Sequence, residues 1–186
     1  MYKTVLFDLD GTLLNTIDDL ADSANRVCAA HGWPQYETAQ YRYFVGNGIP
    51  KLVERFSPAS CRSPEQLAAT LAEFDKVYGA HMHDKTAPYP GIPEVLAELE
   101  RMGVKTAVVS NKPDATTKAL AEKFFPGMPA LGQRDGVDPK PSPALVAQAL
   151  SDLGVRPENA VYVGDSEVDV ATARNAGLDM IGVAWG

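Results

Sequence analysis

Apolar positions change rhythm along the chain. Val5, Leu6 and Phe7 form a short apolar run that stops at Asp10-Gly11, which predicts a buried strand over Thr4–Leu9 closed by a turn. From Thr16 to His31 the spacing is helical. Thr16 takes the N-cap position, and Asp18 and Asp19 fall in the first turn, where the helix dipole favours acids. Gly32 and Pro34 stop this helix. Between Trp33 and Asp84 no strand pattern is visible. Ile49, Leu52, Val53 and Phe56 keep i, i+3, i+4, i+7 spacing. A further helix starts at Ser63-Pro64-Glu65 and runs through Leu67, Leu71, Phe74 and Tyr78. The block reads as an all-helical insertion, and its exit, Thr86 to Gly91, is too rich in proline for regular structure.

After Gly91 helices and strands alternate. The pattern predicts helices over 92–102, 114–124, 143–153 and 167–176, with strands at 104–109 and 160–163, a weak one near Ala130-Leu131, and a last one near Met180–Val183. Such alternation gives a parallel sheet with helices on both faces. The fold class is therefore α/β, a Rossmann-like core of residues 1–15 and 88–186 interrupted by a small α-helical domain over 16–87.

The chain has 186 residues, 45% hydrophobic and 22% charged, which fits one globular domain plus an insertion. A net charge of -7 argues against a nucleic-acid-binding face. An anionic substrate stays open, because a metal ion and a few local cations reverse the field at one site. Cys28 and Cys61 fit no zinc spacing and read as reduced thiols. The N-terminal apolar run is too short for a signal peptide, and no stretch approaches the ~18 apolar residues of a membrane span. The expectation is a cytoplasmic protein with no membrane partner.

In open α/β sheets ligands bind beyond the carboxyl ends of the strands. There the sequence places Asp8-Leu9-Asp10-Gly11-Thr12, then Ser110-Asn111-Lys112-Pro113, then Gly164-Asp165-Ser166 with Asp169 beyond. Lys140 sits in a loop before a helix. Carboxylates crowded on one edge repel unless a cation lies among them. Oxygen ligands of this kind suit Mg²⁺, which also meets substrate phosphate.

These stretches resemble the haloacid dehalogenase superfamily. FDLDGTLLNT at 7–16, VVSNKP at 108–113, Lys140 in PKPSP and VGDSEVD at 163–169 are similar to its four motifs, in the same order over nearly the whole chain. The insertion resembles that family's helical cap, and VGNGIPKLVER at 45–55 and PYPGIPEVL at 88–96 are most similar to its phosphoglycolate phosphatase-like branch. The resemblance implies a Mg²⁺-dependent phosphatase acting on a small phosphorylated metabolite, with 2-phosphoglycolate as the candidate that this branch suggests. It implies Asp8 as nucleophile, Asp10 as general acid and base, and Ser110 and Lys140 as phosphoryl-stabilising groups. It implies Asp8, the Asp10 carbonyl, Asp165 and Asp169 as the metal site, with Asp169 acting from just outside. Gly11, Thr12 and Asn111 are candidate phosphate contacts. In the cap, Gly46, Asn47 and Gly48 are candidates for a substrate-facing turn, and Arg42, Lys51 and Arg55 for carboxylate readers.

A sugar-phosphate mutase shares this core and cap and is the nearest alternative. A receiver-like signalling domain also uses a phosphorylated aspartate, but the Asp8/Asp10 pair and the cap argue against it. Tyr41, Tyr43 and Phe44 read as cap core or as the interface between cap and core, not as a ligand box. His81 and His83 diverge on a helix and do not share a metal. Relatives of this kind run on past the position of Gly186, so the chain is read as a short member or a fragment. Exposed apolar surface is then expected near Trp185, and the chain is a monomer or homodimer.

Overall fold

In the computed structural model, which describes residues 2–186, the chain divides into two compact units, 1–15 with 87–186 and 16–86. The first unit holds a five-stranded sheet, all parallel, built from β1 (Thr4–Phe7), β4 (Lys105–Pro113), β5 (Ala130–Gln133), β6 (Ala160–Gly164) and β7 (Asp179–Gly182). Their order is β5-β4-β1-β6-β7. The chain lays β4 and β5 on one side of β1 and then returns to lay β6 and β7 on the other. Neighbouring strand ends therefore diverge at the β1/β6 junction, which opens a crevice at their carboxyl ends. Register fixes the edge: Phe7 pairs with Val108 on one side and with Val163 on the other.

β1 is buried throughout, as its unbroken apolar run requires in a central parallel strand. Leu6, Ala107, Val109 and Tyr162 pack with Leu145, Val146, Ala149 and Leu150 of α7 (Ala144–Leu153). The other helices of this unit are α5 (Ile92–Arg101), α6 (Asp114–Phe124) and α8 (Glu167–Ala176). Three strands differ from the sequence reading. β4 runs on to Pro113, because Pro113 pairs with Gln133 beyond a break in register. The proline-rich exit is partly regular: β3 (Ala87–Pro88) pairs antiparallel with β2 (Leu14–Asn15). Proline is tolerated there because a two-residue ribbon leaves its missing N–H on an open edge.

The second unit is helical, with α1 (Ile17–Ala30), α2 (Thr38–Tyr41), α3 (Ile49–Phe56) and α4 (Pro64–His81). Its core joins Leu20, Val27 and Cys28 to Tyr41, Leu52, Val53, Phe56 and Phe74. Ser63 and Gln66 form a reciprocal capping box that starts α4. Asp19 is buried, and its carboxylate accepts from the Lys85 and Thr86 amides and from the Thr86 hydroxyl at 2.7–3.1 Å. The acid in the first turn of α1 thus ties down the last residues of the unit. Tyr41 is fully buried and Phe44 packs on the same core, but Tyr43 is 82% exposed. Tyr43 therefore takes no part in the core of this unit. His81 engages Asp84 at 2.7 Å. Among the described residues no helix is long and apolar enough to cross a membrane.

Candidate active site

The β1/β6 junction carries the acids. The Asp8 amide donates to the Val163 carbonyl at 2.9 Å, so the β1 ladder carries on into the first acid. Leu9, Leu13 and Leu14 are then fully buried, and the chain turns tightly between them. The amides of Thr12, Leu13 and Leu14 donate to the Leu9 carbonyl at 2.9–3.3 Å, and the Gly11 amide donates to the Leu14 carbonyl. Gly11 has φ +85, and a Cβ there would stand 2.8 Å from the Asp165 carboxyl carbon. A side chain is excluded both by the left-handed backbone and by that acid.

Three carboxylates converge. Asp8, Asp165 and Asp169 each offer an oxygen within 4.8 Å of the others. Lys140 is buried and its ammonium reaches Asp8 at 2.8 Å and Asp169 at 2.8 Å. The Tyr162 hydroxyl lies 3.1 Å from the same nitrogen, and itself donates to the Val109 carbonyl at 3.1 Å. Asp169 has no exposed surface. Its second oxygen accepts from the Ser166 amide and hydroxyl, closing a capping box at the start of α8. Asp169 therefore anchors Lys140 and α8 together. Asp165 has a freer carboxylate, which accepts from the Thr12 hydroxyl at 2.9 Å.

Charge in this cluster is only partly offset. Burial pushes the Asp8 carboxyl up to about 7, against the opposing pull of Lys140. Burial also raises Asp165. Burial acts against Asp169 too, but Lys140 and Ser166 outweigh it and hold that carboxyl below its ordinary value. Burial alone would discharge Lys140, yet Asp8 and Asp169 keep it protonated well above the ordinary lysine range. One ammonium among three close acids leaves net negative charge in an all-oxygen donor set. That set fits a hard divalent cation such as Mg²⁺.

The remaining candidates divide. Asp10 is engaged by Lys112, whose ammonium reaches both carboxylate oxygens at 2.8 and 3.0 Å. Ser110 is buried within β4, and its hydroxyl oxygen accepts from the Lys112 amide. Asn111, expected against phosphate, clamps the Lys140 backbone: its amide donates to the Lys140 carbonyl, and its carbonyl accepts from the Lys140 amide at 2.7 Å. Thr12 is likewise buried and gives its hydroxyl to Asp165. The Trp185 indole N–H donates to the Thr12 carbonyl at 3.1 Å, so this half-exposed ring is tied to the first acidic loop.

Gly46, Asn47 and Gly48 belong to the helical unit, in the turn before α3, with φ of +100 at Gly46 and +85 at Gly48. Arg55 organises that turn, donating to the Phe44 carbonyl and to the Asn47 side chain at 2.8 Å. Its guanidinium is thus engaged by the protein's own oxygens in that turn. Lys51 pairs with Glu54 at 2.7 Å.

Residues 5–183 match the family model of haloacid dehalogenase-like hydrolases. The chain belongs to that family. Phosphoglycolate phosphatase 1 of Pseudomonas aeruginosa is 33% identical over 191 residues, covering 99% of this chain and 70% of the relative. The phosphoglycolate phosphatase of Caulobacter vibrioides is 36% identical over 190 residues, covering 98% and 79%. Among solved structures, a predicted phosphoglycolate phosphatase from Haemophilus somnus superposes with a TM-score of 0.91 at 29% identity, over 100% of this chain and 86% of that one. CbbY from Rhodobacter sphaeroides, in complex with phosphate, gives 0.79 at 29% identity over 98% and 86%. Within the haloacid dehalogenase-like hydrolases the chain is a phosphoric monoester hydrolase. Two contributors to the site were not singled out from the sequence. Tyr162 lies in the apolar strand AVYV and reads as core, and Lys112 falls inside VVSNKP but is given no role beside Ser110 and Asn111.

Proposed function

We propose that this hydrolase removes phosphate from a small phosphomonoester through an aspartyl-phosphate on Asp8, with 2-phosphoglycolate as the first candidate substrate. The carrying observation is the buried Asp8 carboxylate held 2.8 Å from Lys140 at the strand crossover, two residues before a second acid. The phosphoglycolate phosphatase names of the relatives support the substrate.

In this reading an Asp8 oxygen attacks phosphorus in line, and the bond to the leaving oxygen breaks. Asp10 gives its proton to the departing alkoxide. The Asp10 carboxylate then takes a proton from water, whose oxygen attacks phosphorus. The Asp8–phosphorus bond breaks and phosphate leaves. Lys140 offsets negative charge on Asp8 and the phosphoryl oxygens, and Ser110 hydrogen-bonds the phosphoryl group. Gly11 lets the backbone approach phosphate closely. Asp8, Asp165 and the Asp10 carbonyl would hold Mg²⁺, with Asp169 supporting from behind through Lys140. A bound Mg²⁺ supplies positive charge against the phosphoryl oxygens. Gly46, Asn47 and Gly48 are the proposed substrate-recognition turn of the helical unit, with Thr12 and Asn111 acting through Asp165 and Lys140.

The test is phosphate release from 2-phosphoglycolate beside sugar monophosphates, a pentulose bisphosphate and nucleoside monophosphates, with Mg²⁺ and with EDTA. CbbY has been solved with xylulose-1,5-bisphosphate, which places that ester class in the panel. Mg²⁺-dependent preference for 2-phosphoglycolate is expected, together with loss of turnover in Asp8→Asn. Turnover of other esters alone would discard the substrate, and an active Asp8→Asn would discard the nucleophile.

A further inference from the structure

The two acids of the first motif each have a buried lysine of their own. Lys140 meets Asp8 and Lys112 meets Asp10. The Lys112 side chain is 1% exposed, and its ammonium spans both Asp10 oxygens at 2.8 and 3.0 Å. A long, flexible cation is rarely buried so completely, because desolvation is costly without a paired charge. Its backbone is fixed as well. Lys112 lies in β4 beyond the stretch paired with β1, next to Pro113 opposite Gln133, and its amide donates to the Ser110 hydroxyl at 3.1 Å. Asp10 lies past the end of β1, its backbone bridged to Leu14 but its side chain 28% exposed. The buried ammonium is therefore the more confined partner, and the more exposed carboxyl is the group being held.

We infer that Lys112 is a positioning residue for Asp10, fixing the direction in which that carboxyl presents its oxygens to the leaving group and to water. The inference rests on Asp10 acting as the general acid and base. A proton donor works only within hydrogen-bond reach of the oxygen it serves, and small misplacements of a catalytic group are expensive in rate. Loss of Lys112 should then resemble a partial loss of Asp10. The effect should follow how badly the leaving group needs a proton. A bulk effect on the phosphate site would slow all esters alike.

Lys112→Met keeps the length of the stem and removes the charge. Its kcat is measured on 2-phosphoglycolate, or the alkyl ester that the substrate panel selects, and on p-nitrophenyl phosphate, whose leaving group departs without a proton. The expected loss is about 10–100-fold on the alkyl ester and under about threefold on the aryl ester, with KM changed by less than about threefold. In Asp10→Asn the lysine has no acid to position, so adding Lys112→Met should cost less than about threefold more on the alkyl ester. Equal losses on both esters, or losses that multiply in the double variant, would overturn the inference. If Asp10→Asn alone slows both esters equally, the acid–base reading of Asp10 fails first. If Asp10→Asn shows the leaving-group dependence and Lys112→Met does not, only the positioning role falls. Lys112→Gln is the second variant, with a shorter uncharged donor, and should show the same dependence. Failure of both variants to fold would assign Lys112 to core stability and overturn the inference.

Discussion

Replacing Gly11 by alanine tests the geometry of the acidic cluster with one added methyl group. The added Cβ would lie 2.8 Å from the Asp165 carboxyl carbon and 2.9 Å from Oδ1, with Oδ2 nearer still, where ordinary contact begins at 3.4 Å. The Asp165 carboxylate must retreat by more than half an ångström, and its 2.9 Å bond from the Thr12 hydroxyl cannot survive that unchanged. Backbone strain at φ +85 adds about 1–2 kcal/mol for a residue with a Cβ. Weakening a hydrogen bond to a charged group adds about 1.5–3 kcal/mol. The total, about 2–5 kcal/mol, should lower the melting temperature by about 5–15 °C in a chain of this size. Gly154→Ala separates the two causes. Its φ is +64, but nothing lies within 4 Å of the added Cβ. It should carry only the strain of about 1–2 kcal/mol. Calorimetric titration with Mg²⁺ and the rate of phosphate release are then compared in both variants. Gly11→Ala should lose Mg²⁺ affinity and about 100-fold or more in kcat, while Gly154→Ala keeps both. Wild-type Mg²⁺ affinity and turnover in Gly11→Ala would refute the placement of Asp165 against the first acidic loop.

Three further outcomes follow from the same contacts. In metal-free protein Asp8 is pushed up to about 7 by burial, against 3.8 for an unperturbed carboxyl; the folded state then keeps a proton that the unfolded state has lost. Its contribution to stability is full below about 4 and falls as pH rises to about 7, by at most about 1.4 kcal/mol per pH unit. Urea unfolding in EDTA should show this slope in the wild type and lose it in Asp8→Asn; parallel slopes would remove burial of Asp8 as the cause. Asp19→Ala leaves the Lys85 amide and the buried donors of Thr86 without their acceptor and should cost about 2–5 kcal/mol, with hydrogen exchange at those two amides speeding most. Thr12→Val removes the donor to Asp165 and should weaken Mg²⁺ about 10-fold or more, read by calorimetry; unchanged affinity would make the threonine a packing residue only.

Much of this architecture is legible as rhythm. The helix over 49–56 follows from i, i+3, i+4, i+7 spacing, and the helix over 64–81 from Ser63-Pro64, because capping and apolar faces are local properties of sequence. The acids at strand ends are legible too, since alternation of strand and helix sends each βα turn to one edge. Pairing is harder to read. β3 hides in Ala87-Pro88 because a two-residue ribbon exists only through its distant partner, with Leu14 opposite Pro88 and Asn15 opposite Ala87.

Harder still is the direction in which a polar side chain spends its hydrogen bonds. Thr12 and Asn111 sit where phosphate contacts are expected, yet their bonds go to Asp165 and to the Lys140 backbone. The phosphate end of such a site needs acids and a lysine held against their own repulsion, and the motifs do not say which of their neighbours does that holding, or that Tyr162, outside them, takes part. Tyr162 shows why. Its strand neighbours Val161 and Val163 are apolar, so the pattern assigns the whole run to the core, which is true of the ring. The hydroxyl at the far end of that ring nonetheless meets Lys140 at 3.1 Å. A buried tyrosine needs a partner for its O–H, and in a parallel sheet that partner comes from a different crossover. Lys112 is the same case with a charge. Nothing within ten residues of it in sequence says that Asp10 is its partner; the pairing of β4 beside β1 does. First contacts with substrate are thus read from local motifs, while the residues that aim them become visible only once non-local strand order is known.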